Sequence, residues 1–284
     1  MKTIPLSLVI ATALILSQVA RADPVTVNLG SAAGFAVLAG SGITVAGAVN
    51  TTKITGDIGT FPTTSITGLG NVVLNGVNQA GDAVTQGAKS DLVTAFNDAA
   101  GRSADTTYVG GFDLAGLTLT PGVYSDASSL FLSGTLTLDA KGNPDSVFIF
   151  QAGSTFISAS NSFISLIGGA DACRVFWLVG SSATLGTGTG FAGNILSLES
   201  ITLNTGATLD GRALARNGAV TLDNNTIKVP NCIDDSTGGN GGPGGTPVPD
   251  GANTFLLLGS GLAGLFALGR RFSLRPAPWS AMAA

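Results

Sequence analysis

Apolar and hydroxyl-bearing positions alternate in short runs along most of this chain. Three of the runs read alike: Ala183-Thr184-Leu185-Gly186-Thr187-Gly188, Ile201-Thr202-Leu203-Asn204-Thr205-Gly206 and Val220-Thr221-Leu222-Asp223-Asn224-Asn225, spaced 18 and then 19 residues apart. Each follows a strand-like stretch: Val175-Phe176-Trp177-Leu178, Asn194-Ile195-Leu196-Ser197 and Arg212-Ala213-Leu214-Ala215. A repeat of about 20 residues with short strands and Gly-rich corners predicts a stacked solenoid, which offers long regular faces rather than a pocket. Alternation with period two sends Ile201 and Leu203 inward and Thr202 and Asn204 outward. The same logic puts Thr184 and Thr221 in one outward column with Thr202.

The pattern begins earlier. Phe35-Ala36-Val37-Leu38-Ala39 and Ile43-Thr44-Val45 read as strands either side of a Gly corner, and Ile54-Thr55-Gly56-Asp57-Ile58-Gly59 has the same texture. Ala36 to Thr44 aligns with Ile195 to Thr202 with one gap, so the N-terminal part is expected in the same stack. Residues 78–100 break the texture. Val84, Ala88, Leu92, Ala95, Phe96 and Ala99 fall three and four apart, the stripe of an amphipathic helix, with Gly101 as its stop. Asp82, Lys89, Ser90, Asn97 and Asp98 occupy other positions, so the stripe is expected to pack along one side of the stack. Strands then resume at Leu117-Thr118-Leu119, Leu136-Thr137-Leu138, Val147-Phe148-Ile149-Phe150 and Thr155-Phe156-Ile157.

Composition narrows the chemistry. Of 284 residues 11% are charged, 41 are Gly and 44% are hydrophobic, which suits β-structure with tight turns and not a disordered chain. A formal charge of −4 argues against nucleic acid, whose phosphates call for clustered Lys and Arg. Histidine is absent from the sequence, which removes Ser-His-Asp and Cys-His catalysis. The 17 acidic residues are spread through the chain, a poor fit to a polysaccharide-cleaving β-helix, so no enzyme, cofactor or metal site is expected. Cys173 and Cys232 flank the repeats. A disulfide between them would tie the end of the chain to an earlier coil, and two buried free thiols are the other reading.

The ends carry addresses rather than fold. Met1-Lys2, the apolar run from Ile4 to Leu16 and Ala20-Arg21-Ala22 form the pattern of a secretory signal peptide over residues 1–22. A folded domain is expected over 23–233, then a Gly-rich linker over 234–247. Residues 248–284 start Val248-Pro249-Asp250-Gly251, continue with the apolar run Phe255 to Leu268, and reach Arg270-Arg271. The run is short for a stable span. This tail resembles the bacterial sorting signals recognised by exosortase-type proteases, in the variant that begins Val-Pro-Asp. That resemblance implies a sorting protease as partner, and an exopolysaccharide or envelope matrix as surroundings.

Six segments carry a wider resemblance. They are Leu29 to Ala39, Ile54 to Gly59, Asp91 to Arg102, Leu117-Thr118-Leu119-Thr120-Pro121-Gly122-Val123-Tyr124, Asn143 to Gln151, and Ile201 to Leu214. In this order they resemble the bacterial and fungal ice-binding proteins built on a discontinuous β-solenoid. The resemblance implies a mainly β fold, a right-handed-type parallel β-solenoid of triangular cross-section with one long α-helix packed alongside. It also implies a protein whose partner is ice or ordered water and which restrains ice growth or recrystallisation, while the signal-peptide and tail patterns make it an exported one, secreted or envelope-associated. Such binding needs a weakly polar face of stiff methyls and hydroxyls, for which Thr is suited.

The candidates for that face are Thr184, Thr202 and Thr221, with Ser182 and Ser200 beside them and Ser41 and Thr44 in the same column. Thr205 and Thr208 form a Thr-Gly-x-Thr pattern found in some active relatives. Against these stand Glu199, Arg216 and Asn217 just before the column, and Asp223 and Asn224, expected to interrupt it. The plainer reading of outward Thr is ordinary sheet surface. The alternative function is a structural or adhesive envelope protein using the same fold.

Overall fold

Strand propensity and corner glycines divide the chain into short straight segments, and their pairing stacks those segments into coils. The computed structural model describes residues 24–232; the expected signal peptide, the linker and the sorting tail lie outside them. The first part of the chain gives β1 (Phe35–Ala39), β2 (Gly42–Ala46), β3 (Thr52–Thr55), β4 (Asp57–Thr60), β5 (Ile66–Thr67) and β6 (Val72–Asn75). The helix α1 (Ala83–Ala100) follows.

Three strands to a coil come next: β7 (Thr106–Tyr108), β8 (Phe112–Asp113), β9 (Thr118–Leu119); β10 (Gly122–Asp126), β11 (Leu130–Leu132), β12 (Thr135–Asp139); β13 (Phe148–Ala152), β14 (Phe156–Ser158), β15 (Phe163–Ile167). The remaining coils run β16 (Val175–Val179), β17 (Ala183–Leu185), β18 (Gly190–Ser197), β19 (Ile201–Leu203), β20 (Thr208–Ala215), β21 (Ala219–Asp223) and β22 (Thr226–Lys228).

Every pairing between these strands is parallel, and the strands fall on three sides. One side stacks β5-β2-β21-β19-β17-β14-β11-β8. A second stacks β4, β1, the later halves of β20 and β18, then β16, β13, β10 and β7. A third stacks β6, β3, β22 and the earlier halves of β20 and β18, then β15, β12 and β9. The fold is a mainly β, three-sided solenoid. Its order along the stack is not the order of the chain: β1 and β2 sit beside β20 and β21, so the N-terminal coil caps the last one.

Glycine makes the corner between the second and third sides. β18 and β20 pass through it without a break, at Gly193 (φ 109°) and Gly211, where an added Cβ would lie 1.9 Å from the Gly193 carbonyl oxygen. Only a residue without a side chain lets these two coils approach so closely.

The second side is buried on both surfaces, so its strands read as unbroken apolar runs such as Val175–Val179. Its inner surface joins the core. There Tyr124, Phe150 and Trp177 stack face to face with centroids 5.4 and 4.0 Å apart. Its outer surface, including Phe35, Leu38, Ile149, Phe176, Leu178, Leu196 and Leu214, packs on Ala88, Leu92, Ala95, Phe96 and Ala99 of α1. The helix starts near Gly59 of β4, against which Thr85 lies. At its far end Gln151 of β13 donates to the carbonyls of Ala99 and Arg102. Its 18 residues measure about 27 Å, close to the roughly 24 Å of the five rung spacings that separate β4 from β13.

The helix departs from its sequence expectation in two places. It starts at Ala83 rather than 78, because the Asp82 side chain accepts from the Thr85 amide and caps it. Val84 is exposed, and the buried stripe instead takes in Thr85 and Lys89. A disulfide joins Cys173, in the short 3₁₀ turn Ala172–Arg174, to Cys232, with Cα atoms 5.6 Å apart.

Candidate functional site

With the second side covered by α1, two sides remain open. The third carries charge in its outward positions: Lys53 of β3, Asp210 of β20 and Lys228 of β22. Burial raises the pKa of Asp210 and the Asp171 charge adds to this, while Lys228 acts the other way. The first side differs. Its strands alternate cleanly, with Ile201, Leu203, Val220 and Leu222 at most 1% exposed and the threonines between them turned out.

Register sets that outer surface. Thr67 pairs with Thr44, Thr44 with Thr221, Thr221 with Thr202 and Thr202 with Thr184. Threonine therefore occupies the same outward place on five consecutive rungs. The column continues through Ile157 and Phe131 to Asp113. Two residues upstream, Ser200, Ser182, Thr155 and Ser129 make a second outward column. Its hydroxyls are held by the scaffold: Ser200 Oγ accepts from the Ala219 amide at 3.2 Å, Ser182 Oγ from the Ser200 amide at 3.3 Å, and Ser129 Oγ lies 2.9 Å from Thr155 Oγ1.

Polar side chains inside the next corner brace the surface from behind. Asn225 is fully buried; its Nδ2 donates to the carbonyls of Asn204 and Ala207, and its Oδ1 accepts from the Asp223 amide at 2.6 Å. Two coils further on, Ser158 Oγ lies 3.1 Å from Thr189 Oγ1 and accepts from the Gly186 amide. These side chains pin the β21 coil to the β19 coil and the β14 coil to the β17 coil at the corner, which limits the motion of the threonines beside them.

Charges stand at the borders. Arg216 turns to the helix side, its guanidinium carbon 5.5 Å from the Phe96 ring centroid. Glu199 sits at the corner before Ser200 and accepts from Asn217 Nδ2 at 3.2 Å. Asp223 lies two residues beyond Thr221, level with Ala46 of β2, where it accepts from Thr205 Oγ1 and Asn224 Nδ2. It occupies the margin and does not interrupt the threonine column. At the far end burial works against the ionised Asp113 carboxyl, but hydrogen bonds from the Ser133 hydroxyl and amide and from the Ala115 amide prevail and hold its pKa below the usual value.

The chain is similar to known proteins over most of its length. The ice-binding-like family model matches residues 37–228 of the sequence. The chain belongs to this family. It is 47% identical over 246 residues to an ice-binding protein of Nostoc sp. (strain HG1), covering 86% of this chain and 87% of that one. The crystal structure of an ice-binding protein from an Antarctic biological consortium superposes with a TM-score of 0.70 at 48% identity, covering 73% of this chain and 93% of that one. That of an ice-binding protein from the Antarctic ascomycete Antarctomyces psychrotrophicus gives 0.70 at 40% identity, covering 73% and 100%.

Within this family member the expected residues separate into groups. Thr44, Thr184, Thr202 and Thr221 share the main column, and Ser182 and Ser200 the adjacent one. Ser41 falls outside both: it lies at the corner before β2, and Gly42 takes the place level with Ala219. Thr205 and Thr208 are split by the next corner. Thr205 engages Asp223, while Thr208 belongs to β20 on the third side and pairs with Gly190 and Thr226.

Sequence reasoning missed Thr67, although Ser65-Ile66-Thr67 repeats the Ser-Ile-Thr of residues 200–202. It also left out Thr155 and Ile157, whose run Thr155-Phe156-Ile157 has the right alternation but no Thr at the register position. Among the described residues no group of three or more His, Cys, Asp or Glu side chains could hold a metal ion.

Proposed function

We propose that this protein adsorbs to ice through the outward surface of the β5-β2-β21-β19-β17 stack and so restrains ice growth and recrystallisation. One observation carries the reading: five threonines in register on consecutive rungs, with the charged neighbours at the borders. Rungs of a parallel sheet repeat about every 4.8 Å, and alternate outward residues along a strand lie about 7 Å apart. The β-branched side chain of Thr is stiff at χ1 and presents a methyl and a hydroxyl at fixed points of that grid. Little conformational entropy is lost when ordered water docks against it. Binding of this sort calls for neither a nucleophile nor a cofactor, and the relatives named as ice-binding proteins give the reading its context.

Export belongs to the same proposal. The signal-peptide pattern of residues 1–22 and the disulfide Cys173–Cys232 both fit an oxidising compartment. The tail from residue 248 is read as a sorting segment for an exosortase-type protease, delivering the domain to the envelope or its polysaccharide matrix.

The test is ice recrystallisation inhibition by the purified protein and by Thr202→Tyr. Thr202 stands inside the column between Thr221 and Thr184, partly exposed, so a tyrosine there projects from the surface without disturbing the core. We expect small stable crystals with the wild type and at least about a tenfold higher endpoint concentration for the variant, the equivalent of about 1.4 kcal/mol. A folded wild type that leaves crystals coarse would overturn ice binding and favour a matrix role.

A further inference from the structure

The solenoid changes width part-way along. Ser129 and Thr155 occupy equivalent places 26 residues apart, whereas Ser182 and Ser200 are 18 apart and Ser200 and Ala219 are 19 apart. The longer coils take up their extra residues in loops such as the one containing the 3₁₀ turn Ala172–Arg174. Where long coils give way to short, the third side splits: β15 and β18 share the single register pair Phe163↔Gly190, and the ladder goes no further. The first side does not split there. Phe156 pairs with Ala183 and Ile157 with Thr184, so β14 and β17 remain one continuous ladder across the change of width.

Resting on the reading proposed above, we infer that the ice-contacting surface crosses this boundary and includes the β14 rung, with Ile157 as its apolar contact and Thr155 as its hydroxyl. Ile157 stands in register with Thr184 and is 41% exposed, a large apolar side chain turned to solvent. Ile and Thr are both β-branched, so Ile157 holds a methyl at the point where Thr184 and Thr202 hold theirs. Thr155 stands two residues back, level with Ser182, its hydroxyl fixed by Ser129. Neither β14 nor β17 bears a charge, so nothing on these rungs holds its own hydration shell against the ice.

The following rung ends the surface. Phe131 leans over Gly111, the residue before β8, where a Cβ would come within 3.1 Å of its ring, and Asp113 lies beyond. The contact is therefore mixed: at the main column position the short coils present hydroxyl with methyl, whereas the first long coil presents methyl there and its hydroxyl two residues back, at Thr155. The ligand class is ice or the ordered water layer on it.

The experiment measures recrystallisation endpoint concentrations for the purified protein, Ile157→Tyr, Ile157→Thr and Thr208→Tyr, each with its melting temperature. Thr208 is the control, outward on the third side. We expect Ile157→Tyr to raise the endpoint about tenfold, Ile157→Thr to match or improve on the wild type, and Thr208→Tyr to change nothing. An Ile157→Tyr variant as active as the wild type overturns the inference and ends the surface at Thr184. So does an Ile157→Thr variant as impaired as Ile157→Tyr, because shape alone would then not govern contact. A wild type without activity overturns the parent reading instead, and the two failures are told apart by the first sample measured.

Discussion

The Nζ of Lys89 lies 2.7 Å from the carbonyl oxygen of Ala215 and 2.5 Å from that of Arg216, on the covered surface of α1. Burial, with the Arg216 charge as a second cause, lowers its pKa from 10.5 to about 8. A lysine of depressed folded pKa holds fewer protons folded than unfolded between those two values. Its contribution to stability is therefore present above about pH 10.5 and lost as pH falls through about 8. Wild-type thermal stability measured against Lys89→Met should thus gain with rising pH from about 8 to 10.5 and be flat below. A difference that does not vary with pH would rule this out. Lys89 was read from the sequence as a position off the apolar stripe. Its acceptors are main-chain carbonyls 126 and 127 residues away, and no pattern local to the helix reports them.

At the scale of elements, strands and helix were legible where a local period exists. The words Ile-Thr-Leu and Val-Thr-Leu gave the alternating strands, and the three-and-four spacing gave α1. Charge placement was not legible, since Arg216 and Glu199 leave the threonine surface through the corners between elements, where no period operates. The same holds for Thr205 and Thr208, adjacent in a motif yet on either side of a bend. Leu92, fully buried at the centre of the helix stripe, should cost about 2–5 kcal/mol as Leu92→Ala, read as a lowered midpoint in chemical denaturation. Recrystallisation inhibition by the folded fraction of that variant should be unchanged, because α1 and the threonine column lie on different sides of the coil.

For the whole molecule, the disulfide closes a separation of 59 residues between Cys173 and Cys232. Cys232→Ser should remove about 2–5 kcal/mol of stability and lower the melting temperature, with a matching loss when the wild type is reduced. Equal melting temperatures for the oxidised and reduced wild type would contradict this. Membership of the stack could be anticipated for the N-terminal part, because Ala36 to Thr44 resembles Ile195 to Thr202. Its position in the stack could not. Similar strands share a column whichever coil they abut, and the pairing of β2 with β21 is a contact between the two ends of the described chain.

That pairing changes what fraying does. A solenoid wound in chain order loses its outermost rungs when a terminus loosens, and the rest of its surface survives. Here Thr44 and Thr221 are register partners near the middle of the threonine column, while the stack ends on β5–β6 and β7–β9, drawn from inside the chain. A terminus that peels away opens a gap in mid-column and leaves two short patches. Fraying thus breaks the surface at its centre rather than trimming its edge, and a protease acting on the chain ends would divide it before the core is cut.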